Sequence, residues 1–376
     1  MTNIIFLTLK VFSATGGIEK VCHVAGKALY EMSFTGPVQT HIMSMHDQTK
    51  DADENPYFPT EIFEGFGAKK SLFVKAAVRK GAKADVVILS HINLLLVAWL
   101  IKKISPNTRI YLFAHGIEIW EPLKGFQKKM IGSIDYFLCV SSYTKDVIEK
   151  KHGFEAKSCI VLNNCLDPYL PQPKSTLHKP EWLAAMGLPK DTILLFTLTR
   201  LASKERYKGY DKVLEALAFI KDRYPTLRYL LGGSYDALEK AFVDATIQRL
   251  GLQDTVIITG YIPDADLASY FTMADIYVMP SKKEGFGIVF IEAMNYGLPV
   301  IAGNTDGSVD ALLNGELGLL VNPQNVNEIK EALEKMITHP EAYQPDRKKL
   351  MEHFSFETYK RKLEGVLEVQ RLTFKV

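Results

Sequence analysis

The fold is decided by one stretch of the sequence, Pro280-Ser-Lys-Lys-Glu284-Gly-Phe-Gly287-Ile-Val-Phe-Ile-Glu292-Ala-Met-Asn-Tyr-Gly297-Leu-Pro299-Val-Ile-Ala302. It predicts the end of a strand, a glycine loop, a short helix and the next strand. The apolar run Ile276–Met279 before it is typical of a buried parallel strand. The helix is predicted to begin near Ile288 and to end at Gly297, because glycine followed by proline commonly ends helices. The stretch therefore predicts a unit of an α/β sheet.

Two glycines in the loop, Gly285 and Gly287, let the backbone turn sharply and approach a ligand without a side chain in the way. The helix that follows directs its free amide groups and the positive end of its dipole toward this loop. A phosphate is the ligand that such a position favours. The loop from Gly285 through Phe286 and Gly287 to Ile288 is therefore a candidate phosphate-binding segment.

Two carboxylates frame the loop. Glu284 precedes it, at the carboxyl end of a strand, where open α/β sheets bind ligands. Glu292 lies about one helical turn beyond Ile288, so both side chains can turn toward one ligand. A carboxylate accepts two hydrogen bonds and suits the vicinal diol of a ribose or a hexose. The pattern indicates a nucleotide-sugar site, and the alternative is a helix start with two surface glutamates.

The same residues resemble a known family. Glu284 and Glu292 are separated by seven residues that include Gly-Phe-Gly, which resembles the E-x7-E motif of family-four retaining glycosyltransferases. The segment 293–302 also matches the family pattern. The resemblance implies an α/β protein of the GT-B fold, with two facing Rossmann-like doubly wound domains and the active site between them. Residues 1–170 would form the acceptor-side domain, 171–356 the nucleotide-sugar-binding domain, and the C-terminal helix 357–376 would cross back to the first.

Cations in the second half extend the resemblance. Arg200 and the pair Lys208-Gly209 follow the first strand of that half, where the family places an arginine and a lysine-glycine pair on the donor diphosphate. Lys204 and Arg206 are additional cations, so the sequence leaves open which cation reaches the phosphates. Charge-assisted hydrogen bonds from such cations would neutralise the diphosphate as it leaves.

Two further segments bear on the donor site. Gly260-Tyr-Ile262-Pro closes another strand, and Ile262 is expected to line the nucleobase pocket. In Asp306-Gly-Ser308-Val-Asp310 the sequence departs from the two glycines and the glutamate that are typical of the family. The shorter acid at Asp310 bears on the preferred sugar rather than on nucleotide binding.

The first half of the chain predicts another open α/β unit. After a first strand at 4–9, Gly16 and Gly17 open a helix; by similarity to the family they approach the donor diphosphate, and an ordinary turn is the alternative. No G-x-G-x-x-G fingerprint occurs, which argues against a dinucleotide-dependent oxidoreductase. His115 and Gly116 follow a strand at 109–114 and resemble the family's His-Gly segment next to the transferred sugar. His115 and Glu284 are therefore the candidate catalytic residues, although a lone histidine is more often structural.

Composition narrows the classes of protein. With 376 residues, 47% of them hydrophobic and 23% charged, the sequence suits a cytoplasmic enzyme of two domains. The net charge of +2 gives no signal for a nucleic-acid partner. The four cysteines show no metal-ligand spacing and are expected to be buried reduced thiols. The first residues predict a strand rather than a signal peptide.

Charge is uneven along the chain. Residues 1–167 carry 20 Lys and Arg against 16 Asp and Glu, an excess of four that suggests an acidic partner. Part of the excess lies on a predicted basic helix within residues 66–83. Because Leu72, Phe73 and Val78 are interspersed with its cations, this helix suits the peripheral surface of an anionic membrane. A solvated helix packed on its sheet is the alternative.

The predicted function is that of a retaining glycosyltransferase. It would move a sugar from a nucleoside-diphosphate sugar, expected to be a uridine one, to a glycan, lipid-linked or small-molecule acceptor in polysaccharide or glycoconjugate biosynthesis. Attack on the same face as the departing diphosphate is the expected route, because no carboxylate nucleophile is evident near His115. No cofactor or metal is expected, since no Asp-x-Asp pair adjoins the site and cations take that role. A GT-B sugar-nucleotide epimerase and a catalytically idle nucleotide-binding protein remain alternatives.

Overall fold

A computed structural model of the protein describes residues 2–123, 125–171 and 179–372. The chain divides into two compact units. The first comprises the chain up to Tyr169 and again from Phe354, and the second comprises Leu170–His353. The boundary after Tyr169 lies one residue from the predicted boundary after residue 170. The boundary after His353 lies three residues from the predicted boundary after residue 356.

A parallel sheet forms the centre of the first unit. Its strands among the described residues are β1 (Thr2–Thr8), β2 (Val38–Ser44), β3 (Phe63–Gly65), β4 (Val86–Leu89), β5 (Arg109–Ala114), β6 (Tyr136–Cys139) and β7 (Cys159–Val161). Their spatial order is β3-β2-β1-β4-β5-β6-β7, and each neighbouring pair is parallel. The chain order reverses beside β1, so the loops after β1 and β4 diverge. Such a point is where open sheets bind ligands.

Helices cover this sheet. In chain order they are α1 (Gly17–Thr35), α2 (Lys70–Gly81), α3 (Leu95–Ile104), α4 (Ile117–Trp120), α5 (Phe126–Met130) and α6 (Ser142–His152). A continuous apolar core joins one face of the sheet to α2 and α3, through residues such as Leu89, Phe73 and Ala98. All four residues of β4 are buried, because a parallel strand is covered on both faces.

The second unit repeats this architecture. Its strands are β8 (Ile193–Leu198), β9 (Leu227–Gly232), β10 (Val256–Gly260), β11 (Ile276–Met279), β12 (Val300–Gly303) and β13 (Leu319–Val321), in the order β10-β9-β8-β11-β12-β13. All neighbouring pairs are parallel. Its helices are α7 (Lys179–Ala185), α8 (Tyr210–Ile220), α9 (Ala237–Leu250), α10 (Asp264–Met273), α11 (Ile288–Asn295), α12 (Ser308–Ala311) and α13 (Val326–Thr338), and α14 (Arg347–Phe354) follows.

The last helix returns to the first unit, as predicted. α15 (Phe356–Leu372) packs beside α1. There the Lys360 ammonium lies 2.8 Å from the Glu31 carboxylate. The part of the predicted helix beyond Leu372 lies outside the described residues. Within the described part of the chain, no helix is both long and apolar enough to cross a membrane.

The strands of the second half were predicted best. Their observed ends lie within one residue of the ranges that the sequence predicts, which are 192–198, 228–231, 256–259, 276–279, 300–302 and 318–321. The sequence analysis missed β2 and β3 in the first unit. β2 places Gln39 and His41 on its less buried positions, so it lacks the continuous apolar run of a central strand. β3 is only three residues long. The cysteines are free and buried, which confirms that prediction: Cys22, Cys139, Cys159 and Cys165.

Candidate active site

The candidate donor site lies at the carboxyl edge of the second sheet. The chain order reverses at β8, which neighbours both β9 and β11. Arg200 follows β8 and Glu284 follows β11. Because parallel strands end at the same edge, residues far apart in the sequence meet there.

An ion pair joins Lys208 to Glu284 at this edge. Their side chains are 18% and 12% exposed, so water screens the pair poorly. Burial lowers the pKa of the Lys208 ammonium, but the Glu284 carboxylate outweighs burial and holds that pKa above its ordinary value. The site therefore keeps a permanent cation beside a carboxylate.

Backbone packing sets the position of Lys208. The next residue, Gly209, has φ +83°, and a Cβ atom there would lie 2.2 Å from the carbonyl oxygen of Pro280. Glycine allows both the conformation and the close approach. The Tyr207 carbonyl accepts hydrogen bonds from the Lys282 amide at 3.0 Å and the Ser281 hydroxyl at 3.2 Å. The turn before α8 is thereby fastened to the segment that leads to Glu284.

Asp306 also holds the Glu284 loop in position, through hydrogen bonds to its carboxylate. It is 2% exposed, and its carboxylate accepts hydrogen bonds from the amides of Glu284 at 2.6 Å and Ser308 at 2.9 Å. The Gly307 amide donates to the Glu284 carbonyl at 2.9 Å. A Cβ atom on Gly307 would lie 2.0 Å from the Gly285 carbonyl oxygen. Sequence reasoning treated this segment as a departure from the family pattern and missed the role of an acid placed just after β12.

Burial raises the pKa of Asp306 to about 7, and the Glu284 charge adds to this rise, against amide hydrogen bonds that lower the pKa. In the unfolded chain the carboxyl would have a pKa of about 3.9. Between these values the folded chain binds more protons than the unfolded chain. The stability that Asp306 contributes is therefore fully present below about pH 4 and is lost as the pH rises through about 7.

Replacing Asp306 with asparagine should remove this pH dependence. The free energy of unfolding of the wild type, minus that of Asp306→Asn, should fall as the pH rises from about 4 to about 7, because the amide does not titrate. Urea unfolding of both proteins at closely spaced pH values measures the difference. Asp191→Asn, at an exposed position, is the control. Parallel stability curves for the wild type and Asp306→Asn would contradict the assignment.

The glycine loop leads into α11, as predicted. Gly287 has φ +86°, and a Cβ atom there would lie 2.4 Å from the ring of Phe290, so glycine is required. α11 begins at Ile288. The side chain of Phe286 is buried, at 1% exposure, so this residue can offer a ligand its backbone but not its ring. The amides of the loop and of the first helical turn are the groups that suit a phosphate.

Glu292 lies in the second turn of α11 and is 3% exposed. Burial raises the pKa of the Tyr296 hydroxyl to about 12, and the charge of Glu292 adds to this rise. Both Glu284 and Glu292 are thus largely covered. This contradicts the alternative of two surface glutamates at a helix start. Contact of Glu292 with a ribose stays a prediction.

The structure distinguishes among the cations near α8. The Arg206 guanidinium lies 2.8 Å from Glu239, whose side chain is fully buried. Since removing that guanidinium would leave a buried charge unpaired, Arg206 has a structural role. Arg200 is 64% exposed and lies 3.4 Å from Glu205, so it remains accessible. Lys208, covered, and Arg200, exposed, are the two cations that fit the predicted diphosphate site best.

The structure places Ile262, which was predicted to line the nucleobase pocket, in a buried position. Its side chain is 4% exposed, and its Cδ1 atom lies 2.8 Å from where a Cβ atom of Gly232 would be. The side chain therefore packs on the end of β9. Contact of Ile262 with a nucleobase stays a prediction.

In the first unit, a buried aspartate holds the loop after β1. The carboxylate of Asp47, which is 0% exposed, accepts hydrogen bonds from the amides of Val11 at 2.6 Å and Ser13 at 2.7 Å. The loop ends at Gly16, and α1 begins at Gly17, where a Cβ atom would meet nothing within 4 Å. Packing in the described structure thus does not require glycine at 17. Sequence reasoning missed Asp47, which follows β2, a strand that it also missed.

His115 lies at the carboxyl edge of the first sheet, directly after β5. Its Nε2 atom lies 2.8 Å from the Ser90 carbonyl oxygen, and Nε2 carries the proton because a carbonyl can only accept. The ring stacks on Phe113, with centroids 5.7 Å apart. The backbone amide of His115 donates to the Glu118 carboxylate at 2.6 Å, and Gly116 turns the chain with φ 144°. The imidazole is therefore fixed in orientation, with Nδ1 as its second polar atom.

A second imidazole stands near His115. Burial lowers the pKa of His91, the Glu118 charge raises it, and the proximity of His115 lowers it. The His91 Nδ1 atom accepts a hydrogen bond from the Asn93 amide at 3.0 Å. Two imidazoles and a carboxylate thus gather at one edge of the first sheet. Among the described residues, no group of three or more His, Cys, Asp or Glu side chains is arranged to hold a metal ion.

Solved structures share this architecture over nearly the whole chain. The Anabaena protein HepE in complex with UDP and glucose superposes with a TM-score of 0.78 at 19% identity, covering 98% of this chain and 100% of that one. Sucrose-phosphate synthase from Thermosynechococcus elongatus superposes with a TM-score of 0.77 at 21% identity, covering 99% and 100%. The protein therefore has the GT-B fold.

Two family models match the sequence, one in each unit. "Glycosyl transferases group 1" matches residues 178–353, and "Glycosyltransferase Family 4" matches residues 15–169. Together they cover most of the chain. The chain belongs to glycosyltransferase family 4, which confirms the resemblance.

Curated relatives match over shorter spans. A D-inositol 3-phosphate glycosyltransferase of Thermobifida fusca is 32% identical over 43% of this chain and 38% of its own length. A GDP-mannose-dependent alpha-(1-6)-phosphatidylinositol monomannoside mannosyltransferase of Mycolicibacterium smegmatis is 29% identical over 62% of each chain. The matched region is thus less than two thirds of the length of each of these relatives.

Proposed function

We propose that the protein is a retaining glycosyltransferase that takes a hexose from a nucleoside-diphosphate sugar. The observation that carries this proposal is the covered ion pair of Lys208 and Glu284, next to the glycine loop that opens α11. The loop amides suit a diphosphate, the cation suits its charge, and the carboxylate suits a sugar hydroxyl. Membership of glycosyltransferase family 4 supports the class of reaction.

In the proposed reaction, the bond between the anomeric carbon and the diphosphate oxygen breaks, and its electron pair leaves with the diphosphate. Lys208 offsets the negative charge that develops on this leaving group. The acceptor hydroxyl forms the new bond on the same face of the sugar, and its proton passes to the departing phosphate oxygen. Cations of the protein supply the positive charge, so the proposal needs no metal or cofactor.

A UDP-sugar is the proposed donor, and a glycan or lipid-linked molecule is the proposed acceptor. UDP is the nucleotide in the HepE complex, which has this fold. The mannosyltransferase relative, by contrast, is named as GDP-mannose-dependent and as acting on a phosphatidylinositol mannoside. The HepE complex supports uridine as the base of the donor, and the mannosyltransferase relative supports a lipid-linked acceptor.

Product analysis tests the reaction. The enzyme should release nucleoside diphosphate from a sugar nucleotide when acceptor is present, and NMR should show the donor's anomeric configuration in the product. UDP-glucose and GDP-mannose should be compared side by side. Release from GDP-mannose alone would reject the uridine donor, and an inverted anomer would reject retention. Conversion of the donor to an epimer without acceptor would identify an epimerase instead.

The two motif carboxylates should have different effects on binding and turnover. Glu292 lies past the phosphate loop, so Glu292→Ala should weaken free nucleoside diphosphate by roughly 10- to 100-fold, the usual worth of a charge-assisted hydrogen bond. Glu284 precedes the loop, so Glu284→Ala should leave nucleotide affinity nearly unchanged and lower turnover. Calorimetry with UDP and GDP, together with turnover assays, measures both effects.

Matched variants separate these effects from loss of folding. Glu292→Gln keeps the shape of a side chain that is 3% exposed while removing its charge. Glu215→Ala removes a glutamate that also pairs with a lysine, Lys212, at 2.8 Å, and it should change neither quantity. If Glu284→Ala loses the nucleotide while Glu292→Ala retains it, the two roles are reversed.

A further inference from the structure

Three neighbouring helices of the first unit carry positive charge only. α2, α3 and α5 lie side by side, with α3 in contact with both others. Together they contain eight Lys and Arg residues and no Asp or Glu. The surface that these helices form is called here the basic face. Its charge accounts for much of the excess found in the first half of the sequence.

Two of these cations are neutralised by neighbouring strands and loops. Lys80 pairs with Glu64 at 2.6 Å, and Lys102 pairs with Asp135 at 2.8 Å. By contrast, Lys75, Arg79, Lys103, Lys128 and Lys129 are exposed and have no ion-pair partner among the described residues. The basic face therefore retains an uncompensated positive field.

Large apolar side chains project from the same helices. Leu72 is 54% exposed, Leu96 47%, Trp99 36% and Phe126 78%. On α3, Leu96, Trp99 and Lys103 follow each other at helical spacing, and the Lys103 ammonium lies 5.5 Å from the centre of the Trp99 ring. On α2, Leu72 occupies the equivalent place before Lys75 and Arg79. On both helices, these residues therefore run from apolar at the start of the helix to basic toward its end.

The topology brings the apolar ends together. α2, α3 and α5 each lead into the next parallel strand, so each runs antiparallel to the strands and begins at their carboxyl edge. Leu72, Leu96 and Phe126 lie in the first turns of the three helices. The exposed apolar groups therefore lie toward the edge that carries His115, and the cations extend away from it.

We propose that the basic face docks on an anionic membrane surface, with Leu72, Leu96, Trp99 and Phe126 entering the interfacial layer. Apolar side chains interspersed with unpaired lysines match a layer of anionic headgroups above acyl chains, because lysine stems extend toward water while an indole favours the interface. Such docking does not depend on the transfer reaction. It would set the loop that carries His115 close to the lipid surface.

Sedimentation with vesicles tests the proposal on the full chain without a sugar donor. The protein should bind phosphatidylcholine vesicles that contain about a third phosphatidylglycerol, and binding should weaken as salt rises. It should bind pure phosphatidylcholine vesicles much less. Equal binding to both vesicles would overturn the proposal, as would no binding to either. Capture by a soluble acidic polypeptide without vesicle binding would identify a protein partner and would also overturn it.

Charge reversal locates the surface. Lys75→Glu combined with Arg79→Glu should weaken binding to the anionic vesicles by about 25-fold or more, since each cation near such a surface is worth about fivefold. Lys157→Glu combined with Lys348→Glu changes the net charge equally, at side chains that are 80% and 86% exposed, and should have a small effect. Equal loss in both double variants would show a response to net charge alone and would overturn the basic face as the docking site.

Apolar variants test insertion. Phe126→Ser should weaken vesicle binding by about tenfold. Phe219→Ser, at a position of similar exposure in the second unit (70% against 78%), should not weaken it. Brominated acyl chains should quench tryptophan fluorescence in the wild type, and Trp99→Phe should lose most of that quenching while still binding. Unchanged quenching in Trp99→Phe, or equal effects of the two phenylalanine variants, would contradict insertion.

Discussion

Lys208→Met is expected to lower turnover with a sugar nucleotide by about 10²- to 10³-fold, the usual loss when one preorganised electrostatic group is removed from an active site. Methionine nearly matches the length of lysine but carries no charge. Glu284 keeps the Lys208 ammonium protonated. In the proposed reaction this cation is therefore fully charged when negative charge develops on the diphosphate. Initial rates at saturating donor measure the loss.

Loss of folding has to be separated from loss of chemistry, because Lys208→Met leaves the Glu284 carboxylate buried without its partner. Breaking one side of a covered ion pair costs about 3–5 kcal/mol of stability. The double variant Lys208→Met/Glu284→Gln removes both charges and should recover most of that stability. It should not recover turnover, because the cation is still absent.

Lys212→Met is the matched control. Lys212 lies on α8, pairs with Glu215 at 2.8 Å and is 32% exposed. Its replacement should leave turnover near the wild-type value. Wild-type turnover in Lys208→Met, or full recovery in the double variant, would show that the pair of Lys208 and Glu284 is structural only.

His115→Ala is expected to lower turnover by about 10²-fold, the loss that misplacement of a bound substrate by about 1 Å can cause. Donor affinity should change little, because the candidate donor residues lie mainly in the other unit. The structure fixes the ring through Phe113 and the Ser90 carbonyl, which leaves Nδ1 to act on a substrate. Turnover assays and calorimetry with nucleoside diphosphate measure the two quantities.

His115→Gln separates chemistry from packing. Its amide group can donate to the Ser90 carbonyl in place of Nε2, but it has no imidazole. A catalytic role requires that His115→Gln remain slow, whereas a purely structural role requires that it recover. His152→Ala is the control, because the Nε2 atom of His152 also lies against a backbone carbonyl, that of Ile119, at 2.7 Å. If His152→Ala and His115→Ala lose turnover equally, His115 has no special role.

Much of the second unit was predictable because its signals are local. A buried parallel strand shows as an apolar run, as in Ile276–Met279, and that strand is observed at the predicted residues. The loop glycine Gly287 does have a positive φ, at the start of the predicted helix. In the first unit, β2 was not predicted because Gln39 and His41 interrupt its apolar pattern. Asp47, which follows β2, was therefore assigned no role.

The sequence by itself determined the α/β architecture, the family and the glycine loop between Glu284 and Glu292, since each depends on residues close together in the chain. Tertiary structure alone decided that Lys208 pairs with Glu284, that Arg206 pairs with Glu239 and that Asp306 accepts a hydrogen bond from the Glu284 amide. These contacts depend on which strands become neighbours. β8 lies beside β11, and β11 beside β12, because sheet order, rather than distance along the chain, sets which strand ends share an edge.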